Sequence, residues 1–163
     1  MKNIINKVYI VPDYQATSND HWYPWLSRQL KNVGVDSKRI MLANPFQPDL
    51  EEWQQNLKLH IPHLDEHTFL VAHGLSGLSV LSFLQQHYLQ QHRKTGGVML
   101  ISSNDPFVPA PVSLRLAHSL NAQIFEIKKA GHFNKCDGFT EFPQLLEIMK
   151  LCLANEPQNA ANL

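Results

Sequence analysis

Three side chains that can carry out nucleophilic chemistry follow one another along this sequence in the order hydroxyl, acid, imidazole. They are Ser76, Asp105 and His132. A hydroxyl is a poor nucleophile until an imidazole takes its proton, and the imidazole needs an acid that fixes its tautomer and stabilises its charged form. These residue types predict a site in which His132 is the base and Asp105 orients it, provided that the fold brings them together.

The elements that must position these residues are predicted from the apolar pattern. Short aliphatic runs alternate with longer segments of helical periodicity, which predicts alternating strands and helices. The predicted strands are Lys7–Val11, Arg39–Ala43, Thr68–His73, Gly97–Ser102 and Gln123–Ile127. The predicted helices are Asp20–Val33, Asp49–Ile61, Leu75–His92, Val112–Leu120 and Phe142–Ala154. This order predicts the α/β class: a three-layer α/β/α sandwich around a mostly parallel sheet of about five strands.

The loops that follow the predicted strands contain most of the polar side chains of interest. In sheets of this kind ligands bind beyond the carboxyl ends of the strands. The loop after the first strand contains Asp13, the loop after the third contains Gly74 and Ser76, and the last two loops contain Asp105 and His132. We therefore expect these residues to meet at one edge of the sheet.

Length and composition exclude several classes of protein. A chain of 163 residues fits one domain of about 100–200 residues, here 1–155, with a frayed tail at 156–163. Because 14 basic residues balance 14 acidic ones, we expect no nucleic acid and no membrane surface as a partner. Cys136 and Cys152 lack the spacing of a metal site. Residues Met1–Val8 lack the pattern of a secretory signal. We expect no metal, no cofactor and a cytoplasmic location.

Longer motifs around the candidate residues resemble a known family. The sequence is similar to the small serine hydrolases of the α/β-hydrolase superfamily, the family of retinoblastoma-binding protein nine and the YdeN-like proteins. The matching segments are Val71-Ala72-His73, 102–109, 130–134, Gly138-Phe139, and His21-Trp22 with Trp25. The resemblance spans most of the chain and implies an α/β-hydrolase fold that hydrolyses small esters or amides, with His132 as base and Asp105 as its partner.

Two positions depart from the family pattern. The residue after His73, where the family has its nucleophilic serine, is Gly74, and Asp13 stands where the family has a glycine. The loop of Asp13 helps to form the oxyanion hole, which needs N–H donors, so a carboxylate there would oppose the developing charge unless it turned away. By the resemblance, the residues that line the oxyanion hole and substrate pocket are Asp13, Tyr14, Leu75, Phe107 and Phe133.

Ser76 is the candidate replacement for the missing nucleophile. In the family register it lies about 200° around the helix from position 74 and points away from His132. A slip of two residues would instead place Ser76 in a G-x-S-x-G elbow whose last glycine is replaced by Leu78. We favour the family register, in which Ser76 is an ordinary serine of the first helical turn and His73 orders the elbow.

A third departure is the short path between the third helix and Asp105, where the family has an additional strand and a segment that covers the substrate. Two functions therefore stay open. One is a serine-family hydrolase with a degenerate nucleophile elbow. The other is an inactive pseudohydrolase that binds a small metabolite or a protein partner and keeps the Asp–His pair as a buried strut. A second copy of the chain is a candidate partner that would cover the shortened sheet.

Overall fold

The computed structural model describes residues 6–65, 67–87 and 98–154. Within these residues strands and helices alternate, as predicted from the sequence. In chain order the elements are β1 Lys7–Val11, α1 Tyr23–Asn32, β2 Asp36–Arg39, α2 Leu50–His60, β3 Thr68–Ala72, α3 Ser76–His87, β4 Val98–Ser102, α4 Ala110–Ser119, β5 Gln123–Ile127 and α5 Pro143–Ala154. The α/β class is confirmed.

The strands pair in parallel, but they form two groups. β1 pairs with β2 on one side and with β3 on the other, and β4 pairs with β5. A single sheet of about five strands was expected, whereas the described strands form sheets of three and two. In the part of the chain that the structure describes, β4 is the only strand between α3 and Asp105, the interval in which the family resemblance implied a missing strand.

The central strand β1 shows why the fold has three layers. Val8 and Ile10 face one side of the sheet, where they pack in a cluster that includes side chains of α1 and α5. Tyr9 and Val11 face the other side and pack in a cluster with side chains of α2 and α3. Since successive side chains of a strand point to opposite faces, a run of apolar residues is what a doubly covered strand requires.

The predicted bounds of the second strand, 39–43, are wrong. β2 covers Asp36–Arg39, a polar segment in which exposed and half-buried residues alternate along the edge of the sheet. Ile40 and Leu42 are buried as expected, but they follow the strand and pack beside Trp53. An edge strand is held by backbone hydrogen bonds to a single neighbour, so it can be polar. A search for apolar runs in the sequence then misses it.

Side-chain hydrogen bonds set the starts of the first two helices. The Asp20 carboxylate accepts from the backbone N and the Oγ1 of Thr17, both at 2.8 Å, so the residues before Tyr23 form a turn and α1 begins later than predicted. Asp49 caps α2 by accepting from the backbone N of Glu52 at 2.8 Å. Such a cap satisfies an N–H group that has no partner within the helix.

Some predicted features fall outside the described residues. These are the end of the third predicted helix near His92, Gly97 at the start of the fourth predicted strand, and the tail at 156–163. Among the described helices, none combines the length and the apolar character needed to cross a bilayer.

Candidate active site

The loops that follow β4 and β5 are joined to each other by side-chain hydrogen bonds. Asn104 Oδ1 accepts from the backbone N of Gly131 at 2.9 Å, and Ser102 Oγ accepts from the backbone N of Ala130 at 3.1 Å. These bonds place the loop of Asp105 beside the loop of His132, as the shared sheet edge predicted.

Asp105 binds the imidazole of His132 directly. Asp105 Oδ2 lies 2.8 Å from His132 Nδ1, and its Oδ1 accepts from the backbone N of Phe107 and Val108 at 2.8 and 3.0 Å. The carboxylate therefore acts both as a turn former and as the partner of the histidine. A carboxylate on Nδ1 fixes which way the ring faces and directs Nε2 away from Asp105.

Asp13 is the group that meets the other side of the imidazole. Its Oδ2 lies 2.7 Å from His132 Nε2, and its Oδ1 accepts from the backbone N of Tyr14 and of Leu75, each at 2.7 Å. In an α/β-hydrolase the N–H of the residue after the nucleophile and one from an earlier loop form the oxyanion hole. The carboxylate of Asp13 therefore occupies the position where the family resemblance predicts an oxyanion hole, rather than turning away from it.

Gly74 is required by the position of Asp13. It has a φ of +57°, and a Cβ built on it would overlap the Asp13 carboxylate. A serine at position 74 and an aspartate at position 13 would compete for one volume. The two departures from the family pattern are thus a single coupled exchange.

The backbone at His132 is held by a carboxylate that sequence reasoning missed. Asp137 Oδ2 accepts from the backbone N of His132 at 2.8 Å, and a Cβ on Gly131, whose φ is +58°, would overlap this carboxylate. Asp137 also forms a reciprocal capping box with Asn134. The spacing of an Asn followed three residues later by an acid is the signal that would have located it.

A chain of hydrogen bonds runs from Asp13 through Tyr23 and His73 to the backbone of His132. The backbone N of Asp13 donates to the Tyr23 hydroxyl at 3.1 Å, and this hydroxyl donates to His73 Nδ1 at 2.7 Å. His73 Nε2 then donates to the carbonyl oxygen of His132 at 2.6 Å. Because burial lowers the pKa of His73 to about 4, the ring is neutral and acts as a strut. No pattern in the sequence singled out Tyr23.

The charges of the site favour a protonated His132. Its hydrogen bond with Asp13 and, to a smaller extent, the one with Asp105 raise the pKa to about 9 against the opposing effect of burial. Burial raises the pKa of Asp13, but the hydrogen bonds from His132 and the backbone of Leu75 help to bring it below its usual value. At neutral pH the site is an imidazolium that donates one N–H to each of two carboxylates.

Asp13, His73 and His132 also form a cluster of metal-ligand types, with one candidate ligand atom from each within 4.8 Å of the others. Both ring nitrogens of His73 are engaged, one with a hydroxyl and one with a carbonyl oxygen. Both nitrogens of His132 bind carboxylates. A metal needs the lone pair of a neutral imidazole, so these committed donors do not fit a metal site.

The structure does not bring Ser76 to the Asp–His pair. Ser76 is fully buried at the first residue of α3, and its hydroxyl donates toward the carbonyl oxygens of Val11 and His73, at 3.2 and 2.9 Å. This is the family register rather than the slipped one, since the helical rotation carries the side chain away from position 74.

The other predicted pocket residues divide into two groups. Tyr14, Leu75 and Phe107 are 38%, 41% and 71% exposed, and the Phe107 ring stands edge-on to the His132 ring at 4.9 Å. We call these three side chains the apolar rim. Phe133, by contrast, is 7% exposed and stacks on Phe142 in the core, so it does not line a pocket.

Comparisons with known proteins identify the family and the fold of this chain. The sequence model of a family described as serine hydrolase matches residues 8–103 and 99–151. YdeN of Bacillus subtilis (strain 168) is 30% identical over 187 residues, covering 92% of this chain and 97% of YdeN. The YdeN crystal structure aligns with a TM-score of 0.83 at 28% identity, over 92% of this chain and all of that one.

Two more distant proteins also match this chain, one by sequence and one by structure. The serine hydrolase RBBP9 of Rattus norvegicus is 19% identical, with 81% of this chain and 86% of RBBP9 covered. Est1E from Butyrivibrio proteoclasticus aligns with a TM-score of 0.71 at 13% identity, over 93% of this chain and 89% of that one. At such identity the likeness to Est1E concerns the fold.

The alignment with YdeN also measures the shortening. Since 92% of 163 residues is about 150, about 37 of the 187 aligned positions have no residue in this chain. The two segments of the family match meet at 99–103, in β4 and just after it. With matches that span 8–151 and a relative that is 30% identical over nearly all of the chain, this protein belongs to the serine hydrolase family.

Proposed function

We propose that this protein is a hydrolase of small esters or amides whose working groups are Asp13, His132 and Asp105. Family membership favours a hydrolase over the inactive alternative that the sequence left open. The observation that carries the proposal is the imidazole of His132, bound between two carboxylates at 2.7 and 2.8 Å. An imidazole held in this way is in place for proton transfer, and the second carboxylate stands where a serine hydroxyl would meet Nε2.

Each group has a distinct role in this proposal. Asp105 orients His132, and His132 moves the proton. The backbone N–H groups of Tyr14 and Leu75 hold the Asp13 carboxylate in place, since both donate to its Oδ1 at 2.7 Å. Ser76 has no part, because its hydroxyl is buried and bonded to carbonyl oxygens.

The apolar rim supports a small substrate with an apolar group. Its three side chains are exposed, while Asp13 and His132 beneath them are only 7% and 9% exposed. A small molecule that reached Asp13 would therefore place its apolar part against Phe107 and Leu75, which favours short alkyl or aryl groups.

Hydrolysis of a panel of short-chain p-nitrophenyl esters and anilides tests the proposal. His132→Ala and Asp105→Asn should each lower kcat/KM by about 10²–10⁴-fold, because each removes part of the proton-transfer apparatus. His63→Ala, which removes an exposed histidine in another loop, serves as the matched control and should leave the rate unchanged. A folded wild-type protein that turns over no member of the panel would favour the inactive alternative.

Two further parts of the proposal concern location and assembly. Cys136 and Cys152 are free thiols, which supports a reducing compartment, the cytoplasm. Among the described strands, β3 pairs with β1 alone and β4 pairs with β5 alone, so each has one edge without a described neighbour. Such edges support a second copy of the chain as a partner. Cell fractionation tests the location, and sedimentation velocity tests the assembly. A clean monomer would contradict a second copy as partner.

A further inference from the structure

The backbone of His21 has an unusual conformation close to the active site. Its φ is +53°, in the left-handed region that few residues other than glycine adopt. Such a conformation persists only where the surroundings hold it, and conformations of this kind cluster at functional sites. His21 lies in the turn before α1, and its ring stands edge-on to that of His73 at 5.7 Å.

The side chain of His21 binds the loop of His132. Its Nδ1 accepts from the backbone N of Lys135 at 3.0 Å, although the two residues are 114 positions apart in the chain. The carboxylate of Asp20, the residue before His21, lies 3.7 Å from Nζ of Lys135. Two adjacent residues of the turn before α1 therefore contact both the backbone and the side chain of Lys135.

The loop of His132 depends on such contacts because its own backbone is irregular. Gly131 and Phe133, on either side of His132, both have a φ of +58°. Trp22 Nε1 donates to the carbonyl oxygen of Phe133 at 3.0 Å, just before the N–H group that His21 accepts. His21 and Trp22 thus fix the loop at two points directly after His132.

The bond from Lys135 also supports the carboxylate that holds His132. Lys135 is the first residue of a short 3-10 turn that ends at Asp137. Asp137 Oδ2 accepts from the backbone N of His132 at 2.8 Å. Because His21 anchors the start of this turn, it sets the position of Asp137 and, through Asp137, that of the His132 backbone.

The protonation state of His21 suits an acceptor. Burial lowers its pKa against the attraction of Asp20, and the charge of Lys135 lowers it further, so the ring is neutral at pH 7. A neutral imidazole has one N–H group and one nitrogen lone pair that can accept. Since Nδ1 accepts from Lys135, the proton of the ring lies on Nε2.

We propose that His21 is a positioning residue of the active site: its Nδ1 anchors the loop of His132 so that the imidazole meets Asp13 and Asp105 together. The inference rests on the proposed function and adds a residue that maintains the geometry of its proton transfer. His21 acts through Lys135 rather than on the substrate. Since a displacement of about 1 Å can lower a rate by about 10²-fold, loss of the anchor should appear in catalysis.

Two substitutions separate the acceptor atom from the backbone conformation. His21→Asn keeps an acceptor, because Oδ1 of asparagine is as many bonds from Cα as Nδ1 of histidine, and asparagine also tolerates the left-handed region. His21→Gly adopts that region more readily but has no acceptor. A difference between the two variants therefore reports the bond to Lys135 and not a change in backbone strain.

Steady-state hydrolysis of a p-nitrophenyl ester is the first measurement. His21→Gly should lower kcat by about 10- to 100-fold and change KM by less than about twofold, whereas His21→Asn should stay within about threefold of the wild type. The matched control is Asn121→Gly, which replaces a residue with the same φ of +53° in the exposed turn before β5 and should leave both constants unchanged. Equal kcat values for the two His21 variants, or an effect on KM alone, would overturn the proposal.

The titration of the His132 imidazole, followed by NMR of protein labelled with nitrogen-15, is a second measurement that needs no activity. In the wild type it should lie near pH 9, because Asp13 and Asp105 face the ring while the adjacent His73 is neutral. His21→Gly should move it toward 6.5, because the ring is no longer held against both carboxylates, and His21→Asn should not. A merely structural role would lower the melting temperature of His21→Gly and leave this titration in place, which would overturn the proposal.

Failure of this inference differs from failure of the proposed function. If the wild type hydrolyses the ester and the two His21 variants behave alike in both measurements, the positioning role is wrong and the hydrolase stands. If the folded wild type hydrolyses neither esters nor anilides, the proposed function fails. The titration of His132 in the two variants then still supports or overturns the anchor at His21.

Discussion

The carboxylate of Asp13 and a side chain at position 74 compete for one volume beside His132. A Cβ at Gly74 overlaps that carboxylate, which in turn takes the two N–H donors of Tyr14 and Leu75. An aspartate at position 13 is therefore compatible with glycine at position 74 and incompatible with serine there. This steric conflict explains why positions 13 and 74 both differ from the family pattern.

The coupled exchange can be reversed by a double variant. Asp13→Gly combined with Gly74→Ser empties the oxyanion hole and restores a hydroxyl beside His132, so a fluorophosphonate probe should label position 74. Gly74→Ser alone should not label, because Asp13 still fills the hole.

Adding His132→Ala to the double variant should abolish this labelling, and Asp13→Gly alone, which lacks a hydroxyl, is the matched control. Equal labelling of the single Gly74→Ser variant and the double variant would contradict the shared volume.

Ser76→Ala tests whether the buried serine takes part in the reaction. Its hydroxyl donates to carbonyl oxygens at the ends of β1 and β3, so we expect the free energy of unfolding to fall by about 1 kcal/mol. Activity toward any substrate of the wild type should stay within about twofold, because the hydroxyl faces away from position 74. A folded Ser76→Ala variant with a rate lowered about a hundredfold would show that Ser76 takes part after all.

At the scale of elements, the start of α1 ties together the loops after β1 and β3. Tyr23, the first residue of α1, accepts from the backbone of Asp13 and donates to His73, which then holds the backbone of His132. One helix terminus thus positions both the carboxylate and the imidazole of the site. Asp137 holds the same imidazole loop from the other side.

Tyr23→Phe tests this connection. It leaves the buried N–H of Asp13 and Nδ1 of His73 without their partner, so the free energy of unfolding should fall by about 1–3 kcal/mol in urea denaturation. Tyr14→Phe removes an exposed hydroxyl bonded to Gln15 and should change stability little. Equal effects of the two substitutions would contradict the relay through Tyr23.

At the scale of the whole molecule, two buried histidines respond to pH in opposite directions. Hydrogen bonds to Asp13 and Asp105 raise the pKa of His132 from 6.5 to about 9, so the stability that its charge contributes is lost as pH rises through that range. Burial lowers the pKa of His73 from 6.5 to about 4, so stability falls as pH drops over that range, because the unfolded chain takes up the proton more readily.

The free energy of unfolding should therefore be greatest near pH 6.5, between the ranges of His132 and His73. Urea denaturation at pH 5, 6.5 and 9 measures this, and Asp13→Asn should flatten the alkaline side because it removes the main cause of the raised pKa. A stability that rises from pH 6.5 to 9 would contradict the imidazolium between two carboxylates.

The elements that the sequence predicted well are those with a strong local pattern. β1 and β5 have the bounds predicted from their apolar runs, and the parallel pairing follows from alternating strands and helices. The polar edge strand β2 was misplaced because its pairing is made by the backbone. The grouping of the described strands into sets of three and two depends on contacts between strands far apart in the sequence, which a local pattern does not contain.

The class of fold, the family and the pairing of His132 with Asp105 follow from the sequence, because strand order and short motifs are local and place both residues at one edge of the sheet. The group that faces Nε2 of His132 follows instead from tertiary packing. That group is Asp13, 119 residues away along the chain. The occupant of a volume depends on how distant loops pack, and here a glycine in one loop left space for the carboxylate of another.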